Sequence, residues 1–107
     1  MNDTFESIKR LVAAGLVRIS EHGYDELAAD DIRSHDIVES IGNGRIVEDY
    51  PDYSKGPCVL VLQVDRNGNP IHVVWGIPKG HPEPAVVVTA YRPDPEQWQD
   101  GFMRRRR

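Results

Sequence analysis

The chain carries four histidines, and two of them stand where acid–base chemistry could be done. His22 lies in "RISEHGYDELAADDI", just after Ser20 and Glu21, where a short apolar strand gives way to a helical pattern. His72 lies in "PIHVVWGI", between Ile71 and Val73 in a strand-like run. An imidazole titrates close to neutrality and can accept or release a proton at ordinary pH. Tyr91 and Arg92 close the run "AVVVTAYR", and Arg18 opens the stretch that leads to His22. A guanidinium presents planar donors that fit anionic oxygens. Each residue also has a structural reading. His22 can be an exposed residue beside a helix cap, His72 can hydrogen-bond across the sheet to Gln63, and Tyr91 with Arg92 can be an edge aromatic and a solvated cation. Glu48 and Asp49 in "VEDYPD" read as charges at a strand end, with the positioning of a histidine as the alternative. His35 follows a cap position and His81 sits in the loop "PKGHPEP", so both are expected in solvent, whereas Trp75 is expected in the core.

Other chemistries find less support. Cys58 is the only cysteine, which excludes an internal disulfide and a cysteine metal cluster and fits a reducing cytoplasm. It precedes a strand with no activating partner nearby, so a thiol nucleophile is not expected. Asp49, His22 and His72 lack a metal-ligand spacing, and there is no glycine-rich phosphate loop. Neither a metal nor a cofactor is expected. The net charge is −4, but Arg104–Arg107 supply four positive charges; residues 1–103 carry 9 basic and 17 acidic side chains, a net of −8. An acidic body argues against a general nucleic-acid binder, and no DNA partner is expected. No apolar run approaches the roughly 20 residues of a membrane span, so no membrane partner is expected. "MNDTFESIKR" lacks a basic region followed by an apolar one, so no signal peptide is expected.

The elements that must position these residues follow from periodicity. Phe5, Ile8, Leu11 and Val12 predict a helix over Asp3–Ala14, with Gly15 at its C-terminal end. "LVRIS" is a short strand. Ser20 and Ser34 are expected to cap two further helices, the second stopped by Gly42 and Gly44. The period then becomes extended: "RIVEDY", "CVLVLQVD", "PIHVVWGI" and "AVVVTAY" read as strands, and "RPDPEQWQDGFM" as irregular or a short helical end. Helices before strands give an α+β class, with N-terminal helices packed on one face of a curved, mainly antiparallel sheet of four to five strands. Residues 1–98 read as one domain and 99–107 as a basic, flexible tail.

Asn67-Gly68 suggests a two-residue hairpin turn that sets Gln63 opposite His72. Leu60, Leu62, Val64, Ile71, Val73 and Trp75 would then face the helices. Val61, Gln63, Asp65, His72, Val74 and Gly76 would form an open face. Alternation groups Val87, Thr89 and Tyr91 together, with Thr89 and Tyr91 beside His72; a one-residue slip would invert such an assignment.

In order and spacing, "RISEHGYDEL", "RIVEDYPDY", "PIHVVWGI" and "VVVTAYRPDP" resemble the bacterial family known as domain of unknown function 4258, from about Arg18 to Trp98. That family is commonly grouped with RelE-like toxins among the barnase-, colicin- and RelE-like ribonuclease folds. The resemblance implies a RelE-like fold and a toxin-type, metal-independent endoribonuclease of a toxin–antitoxin system, or a relative of one. Its partners would be a cognate antitoxin and RNA, or ribosome-bound mRNA. Such cleavage needs a base for the 2′-hydroxyl, an acid for the leaving oxygen and a cation for the charged phosphorane. His22, His72 and Tyr91 are then the candidate catalytic residues, with Arg18, Thr89 and Arg92 holding the RNA. RelE-like toxins are usually basic, and this acidic body departs from them. The alternative is a non-catalytic RelE-like module that binds a protein through the open sheet face. A small-ligand or metal-binding domain is a third reading.

Overall fold

The computed structural model describes residues 2–107. Three α-helices, with one short edge strand between the first and the second, come before the other four strands of a five-stranded mixed sheet, and a small two-stranded hairpin follows. Helix α1 is Asp3–Ala13. The side chain of Asn2 accepts the Phe5 N–H at 2.8 Å, Asp3 and Glu6 sit in the first turn, and Arg10 sits in the last. These placements satisfy an orphan donor and suit the helix dipole. Phe5, Ile8 and Val12 form its buried stripe. Helix α2, Glu21–Ala29, is capped by Ser20, whose Oγ accepts the Gly23 N–H at 2.9 Å and donates to the Val88 carbonyl at 2.8 Å. One hydroxyl therefore starts the helix and fastens it to the sheet. A Cβ on Gly23 would stand 2.9 Å from the Val87 carbonyl oxygen, so glycine permits that close approach. Helix α3, Ser34–Ser40, begins at its expected cap residue, one position early: Arg33 holds the cap position without a side-chain bond, and Ser34 is the first helical residue.

The sheet comprises β1 (Val17–Ile19), β2 (Arg45–Tyr50), β3 (Cys58–Val64), β4 (Pro70–Gly76) and β5 (Ala85–Tyr91). Their spatial order is β1-β5-β4-β3-β2, with β1 parallel to β5 and the other pairs antiparallel. The helices pack on one face, where Phe5, Ile8, Leu27 and Ile37 join Val59, Val61, Ile71, Val73, Trp75 and Val87 in the core. Each such aliphatic side chain, fully buried, contributes about 1.5–3 kcal/mol.

The β3–β4 register differs from expectation by one residue. Asp65 N–H donates to the Asn69 carbonyl at 2.9 Å, so the turn is the three residues Arg66–Gly68 with Gly68 at φ +82°. The Asp65 carboxylate accepts the N–H groups of Asn67 (2.8 Å) and Asn69 (2.9 Å) and holds this longer turn closed. Leu62 therefore stands opposite His72, and Gln63 opposite Ile71. On β3 the inward residues are Val59, Val61 and Gln63, while Leu60 and Leu62 face outward, the reverse of the expected assignment. The faces of β4 fall as expected. A bulge between Val74 and Trp75 and their β5 partners skips Val88, so Val87 points inward while Thr89 and Tyr91 point outward.

The segment expected to be irregular contains β6 (Trp98–Gln99), and the expected flexible tail contains β7 (Arg104–Arg105) paired to it. No helix is long and apolar enough to cross a membrane among the described residues.

Candidate functional site

The registers arrange the outer face of the sheet in rows. One row runs Arg45, Leu62, His72, Tyr91; the next Glu48, Leu60, Val74, Thr89; the third Tyr50, Cys58, Gly76, Val86, Arg18. Thr89, Tyr91 and Arg18 thus share the face of His72, with Arg18 two rows away.

His72 is fully buried. The terminal hairpin covers it: the Trp98 ring packs edge-on with centroids 4.4 Å apart, and the Tyr91 ring lies at 5.3 Å. Nε2 lies 2.9 Å from the Phe102 carbonyl oxygen and Nδ1 3.1 Å from the Tyr91 hydroxyl. A carbonyl only accepts, so Nε2 carries the proton, and the neutral ring accepts at Nδ1 from Tyr91. Burial pushes the His72 pKa down against the opposing pull of the Phe102 bond and the nearby Glu48 charge. Burial likewise pushes the Tyr91 phenol up.

Glu48 and Arg105 close this cover. Arg105 donates to both carboxylate oxygens, from Nε at 2.7 Å and Nη2 at 3.0 Å, and its guanidinium lies 4.7 Å from the Trp98 ring centroid. Tyr50 adds a hydroxyl hydrogen bond to Glu48. The Arg105 bond holds the Glu48 carboxyl below its ordinary range, and the Arg105 guanidinium is held protonated in turn. Glu48 is therefore a fastening point for the hairpin rather than a bare charge at a strand end.

The remaining candidates lie elsewhere. His22 is 67% exposed on α2, within 3.7 Å of Glu26. Helix α2 sends Leu27 into the inner core, whereas His72 belongs to the outer face. The two rings do not converge on a common hollow, and His72 has no access to solvent. As placed, His22 and His72 do not share the solvent-open hollow that an acid–base pair needs. Arg92 is held by the fold: its Nη1 lies 2.9 Å from Asp65 Oδ2, and its N–H donates to Asp30 at 2.8 Å. Gln63, weighed as a partner of His72, faces inward; it accepts the Trp75 indole N–H at 2.7 Å and donates to the Ile37 carbonyl at 2.7 Å. No cluster of three potential ligands for a metal occurs among the described residues.

At the far end of the outer face lies a trough of about 250 Å³, its floor formed by Cys58, Gly76, Val86 and Val88 and its rim by Arg18, Tyr53 and Lys55. The β2–β3 loop brings up Tyr53 and Lys55. Gly56, at φ +125°, allows that loop to press against the next one: a Cβ there would lie 2.0 Å from the Ile77 carbonyl oxygen. Burial raises the Cys58 thiol pKa, which leaves it a poor nucleophile. Sequence reasoning had found Arg18 but not Tyr53 or Lys55. Only the β2–β3–β4 register, which sets Tyr50, Cys58 and Gly76 in one row, brings their loop over the same floor.

Compared with known proteins, the chain matches the family model described as Domain of unknown function (DUF4258) over residues 19–92. That span holds α2, α3 and β2–β5; α1 and the terminal hairpin lie outside it. No curated protein and no solved structure matches the chain.

Proposed function

The chain belongs to the DUF4258 family, and from that premise we propose that it is a protein-binding module of the RelE-like group rather than a nuclease built on its histidines. The observation that carries this reading is the burial of His72, with both ring nitrogens engaged, on the face opposite the helix that bears His22. A general acid or base must reach the proton it moves, and a ring closed in by Trp98, Tyr91 and Phe102 reaches none on an external substrate. The uncovered part of the outer face remains for a partner, in the cytoplasm an antitoxin-like protein encoded beside the chain.

The toxin-type endoribonuclease is the second reading. It draws on Arg18, Thr89 and Tyr91 sharing one face, and it requires the terminal hairpin to lift from Tyr91.

One pair of experiments separates the two. The purified chain, incubated with RNA without added metal, is expected to leave the RNA intact. Co-expressed with the neighbouring gene, it is expected to copurify with that gene's product. RNA cleavage that falls 10²-fold or more in His72→Ala would overturn the binding reading.

A further inference from the structure

Resting on the protein-binding reading, we propose that the trough at Gly76 receives an acidic peptide segment of the partner, with an aliphatic side chain on the floor and carboxylates meeting Arg18 and Lys55. Three observations converge there.

The first is Gly76 itself. It sits at the end of β4 in the middle of an outer row, and its φ lies outside the left-handed region. A Cβ would meet Cys58 Cβ at 3.4 Å, the Pro57 carbonyl oxygen at 3.4 Å and Val88 Cγ2 at 3.5 Å, all ordinary contacts. Neither backbone nor packing demands glycine, and its effect is to leave the floor open. A glycine within a strand weakens it and often marks close approach of a ligand or another chain.

The second is charge. Arg92 is committed to Asp65, Arg105 to Glu48 and Arg104 to Asp100, while Arg45, exposed and without an ion pair among the described residues, stands two rows away beside Leu62 and does not line the trough. Arg18 and Lys55 are exposed and make no ion pair among the described residues. Two unpaired cations thus flank an apolar floor in a body that is otherwise net negative.

The third is size and polarity. About 250 Å³ with an aliphatic floor suits one or two side chains. A long RNA would meet only two free cations here while bringing its phosphates against a body of net charge −8. A short peptide with a few carboxylates gains the same two contacts with far less repulsion.

The test pans a random phage-displayed peptide library on the immobilised full chain. Enriched sequences are expected to place an aliphatic residue between acidic ones. A synthetic peptide of the enriched sequence is expected to bind at least tenfold more weakly to Arg18→Glu and Lys55→Glu, and to Gly76→Val, which fills the floor. The two charge reversals are at exposed positions, so they remain informative if Gly76→Val unfolds. No enrichment, enriched peptides without carboxylates, or affinity unchanged by the charge reversals would overturn the assignment. So would an oligouridylate that binds the wild type and loses that binding in Arg18→Glu. Should the neighbour-encoded protein copurify equally well with Arg18→Glu, the trough assignment falls and the binding reading stands; should it copurify with neither, the binding reading falls as well.

Discussion

At the scale of single residues, His72 and His22 have opposite stakes. His72→Ala removes a buried ring, leaves the Phe102 carbonyl and Tyr91 hydroxyl without their partner, and opens a cavity beneath Trp98. The expected loss is about 2–4 kcal/mol in urea unfolding. His22→Ala changes an exposed side chain and is expected to stay within about 0.5 kcal/mol. Acidity gives a second measurement. Burial lowers the native His72 pKa, so as pH falls below about 6.5 the unfolded ring takes up a proton while the native ring stays neutral. The unfolded state then binds more protons, and the stability that His72 contributes, complete above that pH, drains away down to the depressed native value. The free-energy gap between wild type and His72→Gln should therefore narrow from pH 8 to pH 5 in matched urea titrations. A gap that widens would mean that the ring is charged in the folded protein. The sequence placed Tyr91 beside His72, but not the cover over the ring, because Trp98 and Phe102 lie 26 and 30 positions away and reach it only through tertiary packing.

At the scale of elements, every α-helix and all five main strands were legible, from the buried stripe of α1, from the cap residue Ser20 of α2, and from apolar runs bounded by turn residues in strands such as β3, which is buried on both faces. The pairing between elements was not. Asn67-Gly68 does mark the β3–β4 turn, yet the Asp65 carboxylate recruits a third residue into it, and that single addition moved Leu60 and Leu62 to the other face. The terminal hairpin left no periodic trace, since two-residue strands show none; it is held by Glu48, 57 positions from Arg105. Glu48→Gln keeps the shape but weakens this partly exposed pair, at a cost of about 0.5–1 kcal/mol. The loss falls on local opening rather than on the whole fold. Amide exchange at Gln99 and at Arg106, whose N–H donates to the Gln97 carbonyl at 2.8 Å, is expected to quicken about two- to fivefold, with exchange at Val61 and Val73 unchanged. Equal acceleration at all four sites would show that the hairpin and the sheet open together.

At the scale of the molecule, the charge distribution decides what the surface attracts. The arginine-rich end is partly spent on internal carboxylates, Arg105 on Glu48 and Arg104 on Asp100, so a count of its cations overstates what a polyanion meets. Filter binding is expected to retain no long RNA at about 0.15 M salt, where non-specific contacts are weak. Retention that survives there would mean that the end of the chain has left its carboxylates. The order of the strands has a consequence for synthesis. Strand β1 pairs only with β5, so during translation the stretch Val17–Ile19 waits without a neighbour until Ala85–Tyr91 clears the ribosome. Any nascent intermediate arrested before that point holds a three-stranded meander at most, and Ser20 has no Val88 carbonyl to grasp.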